Sequence, residues 1–138
     1  MATWDITYED QYEKFFWSLP EYEQAVLSAA LETVLEVHGI DICSTSWGKP
    51  LGGGLYEFRV QKSLDAIYAD AGLPLPTGLV GTDRKVLIRV FCTFHGNKVV
   101  LLLNGYDKKK DPSEKRQNRE IARARKQLKK WQTRQKKN

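Results

Sequence analysis

Cysteine, histidine and long apolar runs are scarce in this chain of 138 residues, and each scarcity excludes a class of protein. The two cysteines, Cys43 and Cys92, form no Cys-x-x-Cys pair and have no histidine at metal-ligand spacing. This pattern favours two reduced thiols over a disulfide, and it predicts no metal and no cofactor. The longest apolar run, residues 99–103, is strand-sized and far below the roughly 20 residues of a membrane span. Residues 1–5 lack the features of a secretory signal, so we expect a cytoplasmic protein with no membrane partner.

Charge is distributed unevenly along the chain, whose formal net charge is +5. Residues 108–138 hold 14 lysines and arginines against three carboxylates, a net charge of +11, whereas residues 1–107 carry −6. A basic segment of this kind attracts polyanions and speeds their capture, which indicates a nucleic-acid or ribosomal partner. The alternative is a solvated helix end that only confers solubility.

Apolar periodicity predicts a single domain over residues 1–138 that combines helices with strands. Alternation of apolar and polar residues marks strands near residues 4–8, 55–60, 86–94 and 98–104. The last two strands are separated by His95-Gly96-Asn97, which suits a tight hairpin turn.

Helical spacing predicts one helix from about Ser18, as its cap, to Gly39, as its stop. A basic C-terminal helix is predicted over about 112–135, with Asp111 as its cap and a thin apolar stripe that includes Leu128. Residues 40–54 read as a loop. Residues 61–85 read as an insertion between strands that contains a short helix near 63–71.

Two arginines and a glutamate in the predicted strands are the first candidates for a functional site. Alternation places Glu57 and Arg59 on one face of their strand, and Arg89 lies between the apolar residues of the next. Charge in a central strand is costly unless it is paired or functional. We therefore expect Arg59 and Arg89 to project from one open sheet face beside Glu57. The alternative is a Glu57–Arg89 cross-strand ion pair on a solvated face.

A second group of candidates follows the last predicted strand, where Tyr106 precedes a run of lysines at 108–110. Cations beside an aromatic ring suit RNA, because the cations bind phosphate and the ring stacks on a base. The alternative is a polar loop with Tyr106 packed on the edge of the core. His38 and His95 have no visible nucleophile or acid partner, although His95 is a further candidate for a general base.

Three short motifs together resemble the HigB branch of the RelE/ParE toxin superfamily, a branch that includes many phage-derived proteins. They are K-P-L-G-G-G-L-Y-E-F-R at 49–59, L-I-R-V-F at 87–91 and V-L-L-L-N-G-Y-D-K-K at 100–109. The resemblance covers roughly residues 3–60 and 86–131. The chain departs from the family pattern in its longer insertion at 61–85 and in a basic helix that extends past Trp131.

The resemblance implies an α+β fold, in which two N-terminal helical segments pack on a small twisted antiparallel sheet and a basic C-terminal helix follows. It also implies ribosome-dependent cleavage of mRNA in the aminoacyl site, without a metal. The RNA 2′-hydroxyl attacks its neighbouring phosphate, which leaves a cyclic phosphate and a 5′-hydroxyl. Arg59 and Arg89 would bind the phosphate and stabilise the transition state, Tyr106 would stack on a base, and Glu57 would act as a base or orient the arginines. RNA-backbone binding is expected of four lysines, Lys49, Lys108, Lys109 and Lys110.

The expected partners are a cognate antitoxin, which offers an acidic or helical segment to the basic groove, and mRNA on the ribosome. The assembly would be a toxin–antitoxin hetero-oligomer or a homo-oligomer. Three alternatives stay open at this point: a non-enzymatic RNA- or ribosome-binding module, a gyrase-inhibiting toxin of the same superfamily, and a phage-derived protein without activity.

Overall fold

The computed structural model describes residues 3–137, which form a five-stranded sheet with helices on both faces. The strands are β1 (Asp5–Tyr8), β2 (Gly48–Gly52), β3 (Leu55–Val60), β4 (Ile88–His95) and β5 (Val99–Asp107). The helices are α1 (Asp10–Ser18), α2 (Glu21–Ala30), α3 (Glu36–His38), α4 (Leu64–Asp70) and α5 (Glu114–Lys137). A π-helical turn, Leu31–Leu35, joins α2 to α3, and a 3-10 segment, Gly39–Ser44, follows α3. The predicted α+β class is confirmed.

The sheet has the strand order β1-β5-β4-β3-β2. All neighbouring pairs are antiparallel except β1 and β5, which run parallel. The sheet is therefore mixed rather than wholly antiparallel as predicted. The alternation of Trp4, Ile6 and Tyr8 marks a strand, but it contains no information about the direction of that strand or about its partner, which lies 94 residues further along the chain (Asp5 pairs with Val99).

The larger core lies between the sheet and the N-terminal helices. Fully buried side chains of α2, including Val26 and Leu27, pack with Phe58 of β3 and with Ile88 and Val90 of β4. These strand residues share the face that period-two alternation assigns to them. Most of the apolar stabilisation therefore comes from this side, since burying each large aliphatic side chain contributes about 1.5–3 kcal/mol.

The N-terminal region forms two helical segments, as the resemblance implies, whereas apolar periodicity marks only one. Residues 10–18 already form α1, so Ser18 ends that helix and its hydroxyl donates to the Phe15 carbonyl at 2.6 Å. The N-cap position of α2 is Pro20, which makes no side-chain cap. The prediction that Ser18 caps the following helix is therefore wrong. The predicted stop at Gly39 is confirmed, because Gly39 follows α3 with a φ of +53°.

A smaller core lies on the opposite sheet face, under α5. Ala124 and Leu128 are buried against Phe91 of β4 and against Leu101 and Leu103 of β5. The thin apolar stripe predicted for this helix is its docking face, and its remaining surface is largely charged.

The start of α5 differs from the prediction by two residues. The helix begins at Glu114, and the Ser113 hydroxyl accepts from the Arg116 N–H at 3.1 Å. Asp111 accepts instead from the Ser113 N–H, at 3.2 Å. The cap is thus Ser113 and not Asp111, because the aspartate forms the turn that precedes it.

The segment 40–54, predicted as a loop, contains the edge strand β2. The short helix predicted near 63–71 is confirmed as α4, whose cap is Ser63. Residues 71–81 of the insertion are all exposed. Cys43 and Cys92 form no disulfide. Within residues 3–137 no helix is both long and apolar enough to cross a membrane.

Candidate functional site

The candidate site lies on the α5-facing side of the sheet, where β3, β4 and β5 run side by side. Arg59 is the direct register partner of Arg89, and Arg89 is the register partner of Tyr106. Glu57 shares the face of Arg59 and is opposite Lys49 of the edge strand. The sheet register thus brings together five of the residues that the sequence selects.

Glu57 lies between the two arginines and is completely buried. Its Oε1 accepts a hydrogen bond from Arg59 Nε at 2.7 Å and lies 3.7 Å from Arg89 Nε. A general base must reach the proton that it removes, and this carboxylate has no exposed surface. In this structure the Glu57 carboxylate is therefore not placed to remove a proton from a bound molecule. Its position fits the alternative role, that of orienting the two guanidinium groups.

Arg89 is only 5% exposed, and its Nε and Nη1 have no hydrogen-bond partner within the described part of the chain. Glu57 Oε2 is also without one. Burial lowers the pKa of the Arg89 guanidinium, while Glu57 acts in the opposite direction. Buried charged donors without partners are costly and uncommon, so this is where oxygen atoms of an anion or of water are expected to bind.

Two lysines extend the positive charge around the arginines. The Lys108 N–H donates to the Leu87 carbonyl at 2.9 Å, which continues the β4–β5 pairing and keeps Lys108 beside Arg89. Partial burial, followed by the charge of Arg89, lowers the pKa of Lys108, and both Arg59 and Lys49 act in the same direction. We call Lys49, Arg59, Arg89 and Lys108 the basic cluster. Within residues 3–137, Glu57 is the one carboxylate that forms ion pairs with members of this cluster.

Lys109 and Lys110 do not join the basic cluster. The Lys109 ammonium donates to the Lys85 carbonyl at 3.1 Å and so holds the end of the insertion. Lys110 is exposed in the turn, where its N–H donates to the Asp107 carbonyl at 3.3 Å. Of the predicted lysine pair, Lys108 lies beside the arginines and Lys109 does not.

Tyr106 belongs to the core under α5 and is only 1% exposed. Its ring stacks on Phe91, with centroids 6.1 Å apart, and the Arg116 guanidinium lies 5.3 Å from its centroid. No ring face is free for an RNA base, so the predicted stacking role is wrong. The alternative, packing on the core edge, is what occurs. Burial raises the pKa of the Tyr106 phenol, which therefore stays protonated at neutral pH.

Two residues of α5 belong to the site although the sequence interpretation did not select them. Arg116 donates from Nε to Glu120 at 2.9 Å, and the buried Glu120 also pairs with Arg123 at 3.3 Å. Their i,i+4 spacing on a helix was the available signal for an ion pair. Because α5 covers this face, the predicted open sheet surface is in fact closed. The reachable part is a rim that includes Arg59, whose side chain is 26% exposed, and Lys49.

The histidines lie outside the basic cluster. His95, the further candidate for a base, packs against Trp131 with ring centroids 4.7 Å apart. His38 lines a cavity on the opposite side of the sheet, together with Trp47. Residues 3–137 contain no group of His, Cys, Asp or Glu side chains arranged to hold a metal ion.

Comparison with known proteins assigns no family, because no family model and no curated protein sequence matches the chain.

Proposed function

We propose that this chain is the toxin of a toxin–antitoxin pair and an endoribonuclease that cuts mRNA on the ribosome, like the RelE/ParE proteins that its motifs resemble. The observation that carries the proposal is the direct cross-strand pairing of Arg59 with Arg89. Like charges opposite each other destabilise a sheet, and here Glu57 is the one carboxylate between them. A backbone phosphate at the rim would supply the additional negative charge that the basic cluster lacks.

The reaction suits a site of this composition because the RNA supplies its own nucleophile. The 2′-oxygen forms a bond to the adjacent phosphorus and the bond from phosphorus to the 5′-oxygen breaks. The 2′-hydroxyl proton passes to a water or hydroxide base, and the 5′-oxygen takes up a proton as it leaves. The pentavalent phosphorane gains negative charge, and preorganised guanidinium donors are the protein groups best suited to stabilise it.

Each residue of the basic cluster then has a distinct task. Arg59 is the exposed guanidinium and contacts the phosphate, with the unpartnered donors of Arg89 behind it. Lys49 holds the neighbouring backbone. Lys108 has a lowered pKa and is the member best able to release a proton to the 5′-oxygen. Glu57 is a positioning residue, because it binds the arginines and does not reach the solvent.

A cytoplasmic location and an antitoxin partner belong to the same proposal. The basic cluster and the charged surface of α5 favour a partner segment rich in carboxylates, which would mask the cations until it is removed. Ribosome-bound mRNA would compete for the same cations.

The direct test is induction of the protein in a bacterium, followed by growth measurement and mapping of mRNA 5′ ends. Wild-type protein should arrest growth and produce cuts in translated regions, and Arg89→Ala should do neither. Arg84→Ala is the matched control, because Arg84 pairs with Glu23 of α2 on the other side of the sheet and should leave both effects intact. Arg59→Ala serves as a second variant, since Glu57 then keeps Arg89 as a partner. Normal growth with intact mRNA would refute the proposal.

A non-enzymatic RNA- or ribosome-binding protein is the second candidate. The burial of Glu57 and Tyr106 favours it, because neither of these two site residues can then act as an exposed general base. It predicts salt-dependent RNA binding, a growth effect that Arg89→Ala leaves unchanged, and no cleavage products. A DNA-damage response with intact mRNA would instead indicate a gyrase-inhibiting toxin.

A further inference from the structure

One flank of α5 carries a row of cations that lies outside the basic cluster. With about 3.6 residues per turn, six basic residues between positions 116 and 134 fall within an arc of roughly 80° on the helix surface. These residues, which we call the α5 stripe, are Arg116, Arg119, Arg123, Lys126, Lys130 and Arg134. Their spacing gives about one cation for every 5.4 Å turn.

Contacts at its two ends place the α5 stripe relative to the candidate site. At the first end, Arg116 lies over the ring of Tyr106, which is the register partner of Arg89. At the other end, Arg134 pairs with Glu9 at the start of α1. The stripe therefore begins beside the basic cluster and runs for about 27 Å, the rise of 18 residues of α-helix.

Most of the charge on the stripe has no acidic partner. Within residues 3–137, Arg119, Lys126 and Lys130 take part in no ion pair, and all three are exposed. Arg116 and Arg123 share the single carboxylate of Glu120. Like charges at i,i+4 spacing destabilise a helix, and a polyanion that lies along them would offset that repulsion.

The opposite flank of α5 is different in composition. It mixes three cations with Glu114, Asn118 and Gln132, and one of those cations, Arg125, is engaged with the protein itself. Arg125 donates from Nη1 to the Gly52 carbonyl at 3.0 Å and from Nη2 to the Leu51 carbonyl at 2.9 Å. The basic row is thus a property of one flank and not of the whole helix.

We propose that the α5 stripe is a track for the sugar–phosphate backbone of single-stranded RNA as the strand leaves the basic cluster. This inference rests on the proposed function, because the guided strand is the one whose phosphate lies at Arg59. A single line of cations fits one backbone, whereas a duplex presents two. The stripe has no aromatic member, so it holds phosphates without reading bases. The strand leaves the track near Glu9, whose carboxylate repels it.

The test measures the salt dependence of RNA binding by fluorescence anisotropy, with a labelled single-stranded RNA of about 12 nucleotides as the probe. Arg119→Gln/Lys130→Gln removes two unpaired cations of the stripe. Lys129→Gln/Lys136→Gln is the matched control, because it removes two exposed cations from the opposite flank. The two double variants have the same net charge.

The stripe variant should bind about tenfold more weakly near physiological salt. The slope of log K against log salt concentration is negative, and its magnitude should decrease by about 1.4, since each phosphate contact on a single strand contributes about 0.7. The control variant should change the slope by less than half that amount. Equal changes in both variants would show a general effect of net charge and would overturn the track.

Two further arms separate the remaining outcomes. If the stripe variant weakens binding of an RNA duplex of the same length more than binding of the single strand, the occupant is structured RNA and the single-strand assignment is wrong. Cleavage of ribosome-bound mRNA is measured with the same three proteins. If no protein cleaves the message, the proposed endoribonuclease activity is refuted, but a reduced salt dependence of the stripe variant would still support the track. If the message is cleaved and the salt dependence of the stripe variant is unchanged, only the track is refuted.

Discussion

Glu57→Gln should destabilise the fold strongly, although it exchanges one atom for another of similar size. In the native chain the buried carboxylate is the negative charge nearest to Arg89, which is itself almost completely buried. Arg59 can turn its partly exposed side chain toward solvent when the carboxylate is lost. Arg89 has no such path, so it would stay in the core with an unneutralised charge.

The expected loss follows from that asymmetry. Removing one partner of a buried ion pair costs about 3–5 kcal/mol, and the amide that replaces the carboxylate can still accept one hydrogen bond from Arg59. We therefore expect the lower end, about 3 kcal/mol. Single domains have a free energy of unfolding of about 5–15 kcal/mol, so the variant should remain folded but much less stable. With a urea m-value of about 2 kcal/mol/M, the unfolding midpoint should fall by about 1.5 M.

Equilibrium unfolding in urea, followed by tryptophan fluorescence, measures the loss directly. Arg89→Met alone should cost less, because Glu57 keeps its hydrogen bond to Arg59. Adding Arg89→Met to Glu57→Gln should restore more than half of the lost stability, since no buried charge is then left unneutralised. A Glu57→Gln loss below about 0.5 kcal/mol, or single losses that simply add in the double variant, would refute the coupling of these two residues.

Three other predictions concern pH and packing. Complete burial raises the pKa of the Cys92 thiol, so the folded chain keeps a proton that the unfolded chain loses above about pH 9. The free energy of unfolding should therefore fall by about 1.4 kcal/mol per pH unit in that range. Urea unfolding at pH 8 and pH 10 should show this fall in the wild type and a smaller one in Cys92→Ala. Gly105→Ala should lower stability by about 1–3 kcal/mol in thermal melts, because the new Cβ would lie 2.5 Å from the Phe15 ring and 2.8 Å from the Arg89 carbonyl; an unchanged melting temperature would contradict this packing. In the wild type, cleavage on the ribosome should decline at high pH as Lys108, whose pKa is lowered, gives up its proton. Lys108→Arg keeps the charge but not the lowered pKa, so this decline should be absent from its pH profile. Superimposable pH profiles of the two proteins would exclude Lys108 as the proton donor.

Strand alternation was the most informative part of the sequence. Residues 55–60 and 86–94 have clear period-two patterns, and this was sufficient to place Glu57, Arg59 and Arg89 on one sheet face. Strand β2 was missed because Gly48–Gly52 contains a proline and two glycines and has no alternation, which an edge strand tolerates. Helix α1 was missed because Phe15, Phe16 and Trp17 are consecutive and obscure its periodicity.

The covering of the site could not be predicted in the same way. The thin apolar face of α5 predicts which side of the helix docks, but it does not predict against which face of the sheet the helix packs. That choice decides the burial of Tyr106 and Glu57 and leaves Arg59 at the rim. It also brings Arg116 to the site from a helix whose charges resemble those of an ordinary solvated surface.

The central claim is that the basic cluster promotes attack by an RNA 2′-hydroxyl on its own phosphate. The most direct measurement uses purified protein, bacterial ribosomes and a short message, first all-ribose and then with one 2′-deoxy nucleotide at the mapped cut. The account predicts that the ribose message yields a 2′,3′-cyclic phosphate and a 5′-hydroxyl, and that both the deoxy message and the Arg89→Ala protein yield no product. Equal cleavage of the two messages, or no cleavage of the ribose message, would contradict it.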